Sequence, residues 1–456
     1  MVINQFNGKI KKFIGFSIMI GSLFGNKPNN LYAGEMPTNP AVQSGQVTIT
    51  GTGTNHLKVN TKTNKTIINW DSFSIHSGGR VDFNQPSASS FSLNRVVGTT
   101  PSSIAGQLNS NGKLMLINPN GVVITPNGVV DTKSFTASTL DIKNQDFLND
   151  NFTFRGNGKS KGVKNAGKIT IGGGGHAALL GGYVSNSGIV TAKLGRIAMG
   201  AGEKITLDFV GDGLMTVTVP SNKLAKIKDI NGNTLQSLVS NTGTLKANGG
   251  FIKLSAATAM GLSRAAVNIG STGSIIAQGV KSKPGRIVIG NPSANSVRIA
   301  GNIDVSAPKQ SLSPSGTVIV QGRSVTHTGN LYANGTSGGK INVLSTDSLK
   351  LDGSIFAKGE ENKGGSVIVI SENAITSTQR NVVDVSGKLK GGTAQLLAKV
   401  KNKVSGEIFA DSSSGKGGHV DITAQKTDLE KAKISATGPQ MGGKVRIGGD
   451  YLGGNL

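Results

Sequence analysis

Cysteine is absent from the 456 residues, so no disulfide can hold the fold together. Aromatic residues make up only 4% of the chain, with a single Trp, and hydrophobic residues of all kinds 36%. So few large side chains cannot fill the thick core of a doubly wound α/β enzyme. Proline is scarce, with 13 residues, and no Gly-X-Y period runs through the chain, which excludes collagen. Acids are scarce as well: 24 Asp and Glu stand against 48 Lys and Arg, a net charge of +24. What the chain has in excess is Gly, with 66 residues. Interior Gly costs a helix roughly 0.5–1 kcal/mol relative to Ala, so long helices are disfavoured. Short alternating runs of Val, Ile and Leu argue against disorder. The remaining class is a long all-β chain with a thin core and many tight turns.

The amino terminus reads as a signal peptide. Lys9, Lys11 and Lys12 precede the apolar run Phe13 to Phe24, which is too short for a membrane span of ~20 residues. Cleavage is expected after Ala33, leaving a mature charge of +20. Lack of Cys fits a chain that crosses an oxidising compartment unfolded.

A repeat dominates the second half. A short arm, Gly-x-apolar-x-small, appears as GTLKA, GSIIA, GNIDV, GNLYA, GSIFA, NVVDV, GEIFA and AKISA. Its leading apolar residues are Leu245, Ile275, Ile303, Leu331, Ile355, Val383, Ile408 and Ile434, 24 to 30 residues apart. A second arm follows a Gly each time, with pairs such as Ile252/Leu254, Ile287/Ile289 and Ile341/Val343. Period-2 alternation means strands with one buried face. Hairpins this short are not stable alone, but stacked coils of three short strands are. The expected fold is therefore a right-handed parallel β-helix. Gly-Gly corners are expected to supply positive φ at the bends. Looser copies occur at 165–180 and 186–202, with Val190, Ala192, Ile197 and Met199 facing inward. The less repetitive block ahead of them suits an amino-terminal capping region, which a solenoid needs to cover its open edge.

The stretch VDFNQPSASSFSLNRVVGTTPSSIAGQLNSNGKLMLINPNGVVIT (81–125) resembles the amino-terminal secretion domain of filamentous-haemagglutinin-type exoproteins, the passengers of two-partner secretion. The likeness continues through 133–142 and 184–214. Asn118-Pro119-Asn120-Gly121 matches the family's asparagine signature at all four positions. A second signature upstream is replaced by Phe83-Asn84-Gln85-Pro86 and Leu93-Asn94-Arg95, which makes Asn84, Pro86, Asn94 and Arg95 secondary candidates. The resemblance implies domains at 34–270 for secretion and 271–456 for adhesin repeats, and it implies a partner outer-membrane pore with periplasmic transport-associated domains. It places the product at the surface of, or outside, a Gram-negative cell. Taken by itself, Asn-Pro-Asn-Gly reads simply as a tight turn between the strands LMLI and VVIT, and it is the matching context that points to secretion.

Catalytic and metal motifs are not found. The five His show no metal spacing. Gly335-Thr336-Ser337-Gly338-Gly339 fits G-x-S-x-G only as letters in a glycine corner, and Thr153 stands where a phosphate loop before Gly158-Lys159-Ser160 needs Gly. Asp304, Asp384 and Asp421 fall singly on different coils, unlike the clustered acids of polysaccharide lyases. No cofactor and no enzyme activity are expected. The cationic excess points to polyanion partners such as surface glycans, with outward Lys246, Lys340, Lys358 and Lys444 as dispersed contacts. Nucleic acid is not expected, because rings for base stacking are scarce. Two functions stay open: a secreted adhesin, or the passenger of a toxin, haemolysin or haem-scavenging system. Because the sequence stops inside a repeat, a truncated, non-adhesive remnant is a further expectation.

Overall fold

The computed structural model describes residues 35–158, 161–209, 211, 213–218, 235–257, 265–292, 296–308 and 314–448. Contacts divide the chain into Met1–Ala33 and Gly34–Leu456. The expected signal peptide and its cleavage point lie outside the described residues.

Each coil is built from three short strands, as in Ser354–Phe356, Ser366–Ser371 and Ala374–Ser377. Each strand pairs in parallel with its counterpart one coil earlier and one coil later, so the coils form a parallel β-helix. The register is the one the alternation dictates. On the first face Leu57, Val81, Leu108, Val130, Ile169, Val190, Leu245, Ile275, Ile303, Leu331, Ile355, Val383, Ile408 and Ile434 stack one upon the next. All are buried except Ile434, which is half-buried. The ladder thus begins well before the obvious repeats and crosses residue 270 without a break. Two positions on, Ala247, Ala277, Val305, Ala333, Ala357, Val385 and Ala410 are fully buried. These small side chains keep the interior narrow.

The opening edge is closed by a change of direction. Ala41–Ser44 pairs antiparallel with Lys65–Trp70, and Val47–Thr50 antiparallel with His56–Thr61. The first complete coil therefore offers no free parallel edge on these two faces.

Glycine corners work differently from the expectation. Gly365, Gly392, Gly418 and Gly443 do not have positive φ. A Cβ at Gly365 would collide with the Gly339 carbonyl oxygen, and one at Gly392 with that of Gly365. The constraint is close stacking of successive corners, not backbone handedness. Gly249 does use positive φ, at +66°, as does Gly174 at +76°.

A second apolar core lies outside the helix. On the second face Phe91, Leu93, Met115, Ile117 and Leu180 point away from the interior yet are buried. They are covered by the five-residue helix Asn144–Leu148 and a three-stranded antiparallel sheet, Thr153–Arg155, Lys204–Asp208 and Leu214–Thr218. The consecutive apolar residues of LMLI (114–117) reflect strands buried on both sides.

Polar residues also stack. Asn165 donates from Nδ2 to Asn186 Oδ1 and Asn186 to Asn241 Oδ1, both at 2.7 Å, with all three buried. Asn241 closes the ladder on the Gly243 carbonyl, 3.0 Å away. Removing the middle member leaves Asn165 without an acceptor and Asn241 without a donor, both in the interior. Asn186→Ala should therefore cost about 2–4 kcal/mol, read as a shift of the urea midpoint at unchanged slope.

Candidate functional site

The Asn118–Gly121 corner follows the strand Gln107–Ile117 and precedes Val122–Ile124. It is a β-turn, with the Gly121 N–H donating to the Asn118 carbonyl at 3.1 Å. Gly121 takes φ +124°, so a Cβ there would be strained. Asn118 is fully buried, and both ends of its amide are used. Its Oδ1 accepts from the Asn120 backbone N–H at 2.9 Å and from Asn120 Nδ2 at 3.1 Å. Its Nδ2 donates to the Thr100 carbonyl and to Ser102 Oγ, each at 2.9 Å. Asn120 Nδ2 also reaches the Gly98 carbonyl at 2.9 Å. The four residues thus do more than turn their own chain. They clamp the Gly98–Ser102 corner of the preceding coil.

The secondary candidates divide. Asn94 and Arg95 end the strand that leads into the clamped corner, in register with Leu116 and Ile117. Asn94 is fully buried and its Oδ1 accepts from Trp70 Nε1 at 3.0 Å. Arg95 ties the outer layer down: Nε bonds Asp141 Oδ1 at 2.8 Å, and its terminal nitrogens reach the Ile142 carbonyl at 2.7 Å and Asn144 Oδ1 at 2.9 Å. Asn84 and Pro86 lie at a different corner, both exposed, with Asn84 bonded to Asn60 at 2.8 Å. The residue that organises that corner is Gln85, missed in the sequence. It is buried, bonding Ser110 Oγ and the Lys113 carbonyl at 2.9 Å, and Asn111 returns a bond to its carbonyl at 2.7 Å. The buried Asn ladder was also missed; its trace is the recurring Asn-x-Gly at Asn165, Asn186 and Asn241.

Among the outward lysines, Lys246, Lys340 and Lys444 are exposed. Lys358 is committed to Asp384, 3.0 Å away. Two histidines are interior. His176 stacks on Phe209 with centroids 4.0 Å apart, and burial, then Lys113 and Arg196, push its pKa down to about 3. His327 lies between Ile299 and Leu351 in register, and burial lowers its pKa to about 4 against the pull of Asp352. Among the described residues, no group of three or more His, Cys, Asp or Glu is placed to hold a metal ion.

This geometry has relatives. A family model described as the TPS secretion domain matches residues 33–305. Two heme/hemopexin-binding proteins of Haemophilus influenzae are similar. One is 29% identical over 225 residues, covering 47% of this chain and 23% of that protein. The other is 33% identical over 109 residues, covering 24% of this chain and 12% of that protein. The matches thus span less than a quarter of either relative. Among solved structures, the HMW1 secretion domain of Haemophilus influenzae aligns with a TM-score of 0.60 and 25% identity, covering 90% of this chain and all of that one.

Proposed function

The chain belongs to the TPS secretion-domain family, and from that premise we propose that the Asn118–Gly121 corner is required for its export through a partner outer-membrane transporter. Family membership makes the chain a secreted exoprotein with such a partner. The finer reading concerns how the motif acts, and one observation carries it: a fully buried amide whose Nδ2 is bonded to Thr100 and Ser102 of the coil before, while its Oδ1 holds Asn120 of its own turn.

Strand pairing supports a sequence of events. In the folded chain Gln107–Ile117 is paired on one side by Arg80–Asn84 and Phe91–Val96 and on the other by Val129–Ser138. No edge of that strand is free. A transporter domain that adds a strand to this region by β-augmentation must therefore meet it before the coil closes. Closing the Asn118 clamp then removes the edge and releases the chain. In this reading the passenger carries a binding surface and no catalytic step.

The test co-expresses the chain with its transporter and measures the amount in the medium. Asn118→Asp with Asn120→Ala should sharply reduce secretion while chain accumulates in the periplasm. Asn186→Ala, an equally interior polar loss distant from the corner, should secrete better than the double variant at matched stability. Equal secretion of both would reduce the motif to an ordinary folding element.

What the exported surface does has two readings, adhesion to cells and capture of heme or hemopexin. The likeness to two heme/hemopexin-binding proteins favours the second. Hemin titration followed in the Soret band, beside adherence assays with the same preparation, separates them.

A further inference from the structure

We infer that Lys340, Lys363, Lys390, Lys416 and Lys444 form an axial cation track that binds a linear acidic polysaccharide. In the sequence these lysines are more than 20 residues apart and belong to no charge cluster. The coil register brings them together. Lys363, Lys390 and Lys416 are joined directly by parallel bridges on three successive corner loops. Lys340 and Lys444 begin the second-face strands of the flanking coils, in the column that runs Lys340, Ser366, Thr393, His419, Lys444. All five lysines are exposed. The result is one cation per coil over five consecutive coils, interleaved with hydroxyls, and no acid occupies either column. Two acids of these corners are paired with lysines off the track, Glu361 with Lys388 at 2.7 Å and Asp384 with Lys358 at 3.0 Å, while Glu360 is exposed on the Lys363 corner loop.

Like charges placed opposite one another in a sheet repel, and an anion lying along the stack relieves that repulsion. Coils rise by ~4.8 Å, which makes the track about 20 Å long. That rise is close to the advance of one sugar ring along a linear polysaccharide, so a chain with about one sulfate or carboxylate per ring matches the row. Duplex nucleic acid fits poorly, because its charges fall every ~1.7 Å on two winding strands. Single strands need open ring faces. The outward rings Tyr332 and Phe356 stack on each other at 5.6 Å and 13°, so each already covers one face of its neighbour.

The inference stands apart from the secretion reading, since it is tested on purified chain. Heparin-derived di-, tetra- and octasaccharides are titrated by calorimetry over a salt series, with duplex DNA as a counter-probe. Affinity should rise from disaccharide to tetrasaccharide and level off by the octasaccharide. The triple variant Lys363→Gln, Lys390→Gln, Lys416→Gln should bind at least about tenfold more weakly, with the log–log salt slope smaller by about 2. It should fold normally, with a thermal midpoint at low salt equal to or above that of the parent, because repulsion is relieved. The control triple Lys58→Gln, Lys62→Gln, Lys246→Gln makes the same charge change at exposed sites off the track and should lose less than about twofold. Equal losses in the two triples, length-independent binding, or tighter binding to DNA would overturn the track.

Discussion

Ile341→Asp should abolish the folded state under conditions where Asn342→Asp is nearly silent. Ile341 is fully buried and stacks between Val318 and Val367 in the second-face ladder. Its neighbours are apolar and its strand is hydrogen-bonded on both sides, so the carboxylate meets no partner and water has no route to it. An unpaired charge in such a place costs several kcal/mol, above about 4 here. The loss is magnified because each coil is stabilised chiefly by its two neighbours, so a broken rung in mid-stack uncouples the coils on either side. Asn342 points outward and is half-exposed. Circular dichroism and urea unfolding of the two variants read the difference, and comparable damage in both would reverse the assignment of inward and outward faces.

The inward face was legible because its physics is local. Period-2 alternation places Leu245 and Ile275 on the inside whatever surrounds them, and the small residue two positions later reports the narrow bore. In the front half the same rule holds, but the signal is blurred by a second burial. Phe91, Leu93, Met115 and Ile117 are apolar on the outer side as well, because the layer formed by Asn144–Leu148, Thr153–Arg155, Lys204–Asp208 and Leu214–Thr218 covers them. Alternation disappears exactly where both faces are dry, and only the coordinates show which segment does the covering.

Corner chemistry was less legible. The letters Asn118-Pro119-Asn120-Gly121 suffice for a turn, but the partners of Asn118 are Thr100 and Ser102, contributed by the coil before. Such a bond spans one full coil, and no spacing rule short of the stacking register reveals it. The same holds for charge. Lys363, Lys390 and Lys416 read as scattered until parallel bridges place them in one row. Conversely Lys358 looked available and is not, since Asp384 sits one coil away in the adjacent column.

Mild acid should destabilise the chain through its two interior histidines. An unfolded His titrates near 6.5. Folded, His176 and His327 are held neutral, with pKa values of about 3 and about 4, by burial above all. Among the described residues neither ring nitrogen of His327 meets a hydrogen-bond partner, so only the pull of Asp352 opposes the cost of charging it. The sign follows from proton binding. Between pH 6.5 and 4 the unfolded chain takes up these protons and the folded chain does not, so stability is complete above about pH 6.5 and declines as pH falls. At pH 5 each residue should account for about 2 kcal/mol of that decline. Carboxylates do not confuse this window. Asp82, Asp352 and Glu430 are lowered in the fold, and their contributions disappear only as pH drops through the carboxylate range and below. His327→Leu matches its neighbours Ile299 and Leu351 in the ladder, and His176→Phe preserves the stack on Phe209. Urea midpoints at pH 7.5 and pH 5 should differ strongly in the parent chain and little in the double variant; an unchanged pH dependence in the double variant would place the acid sensitivity elsewhere.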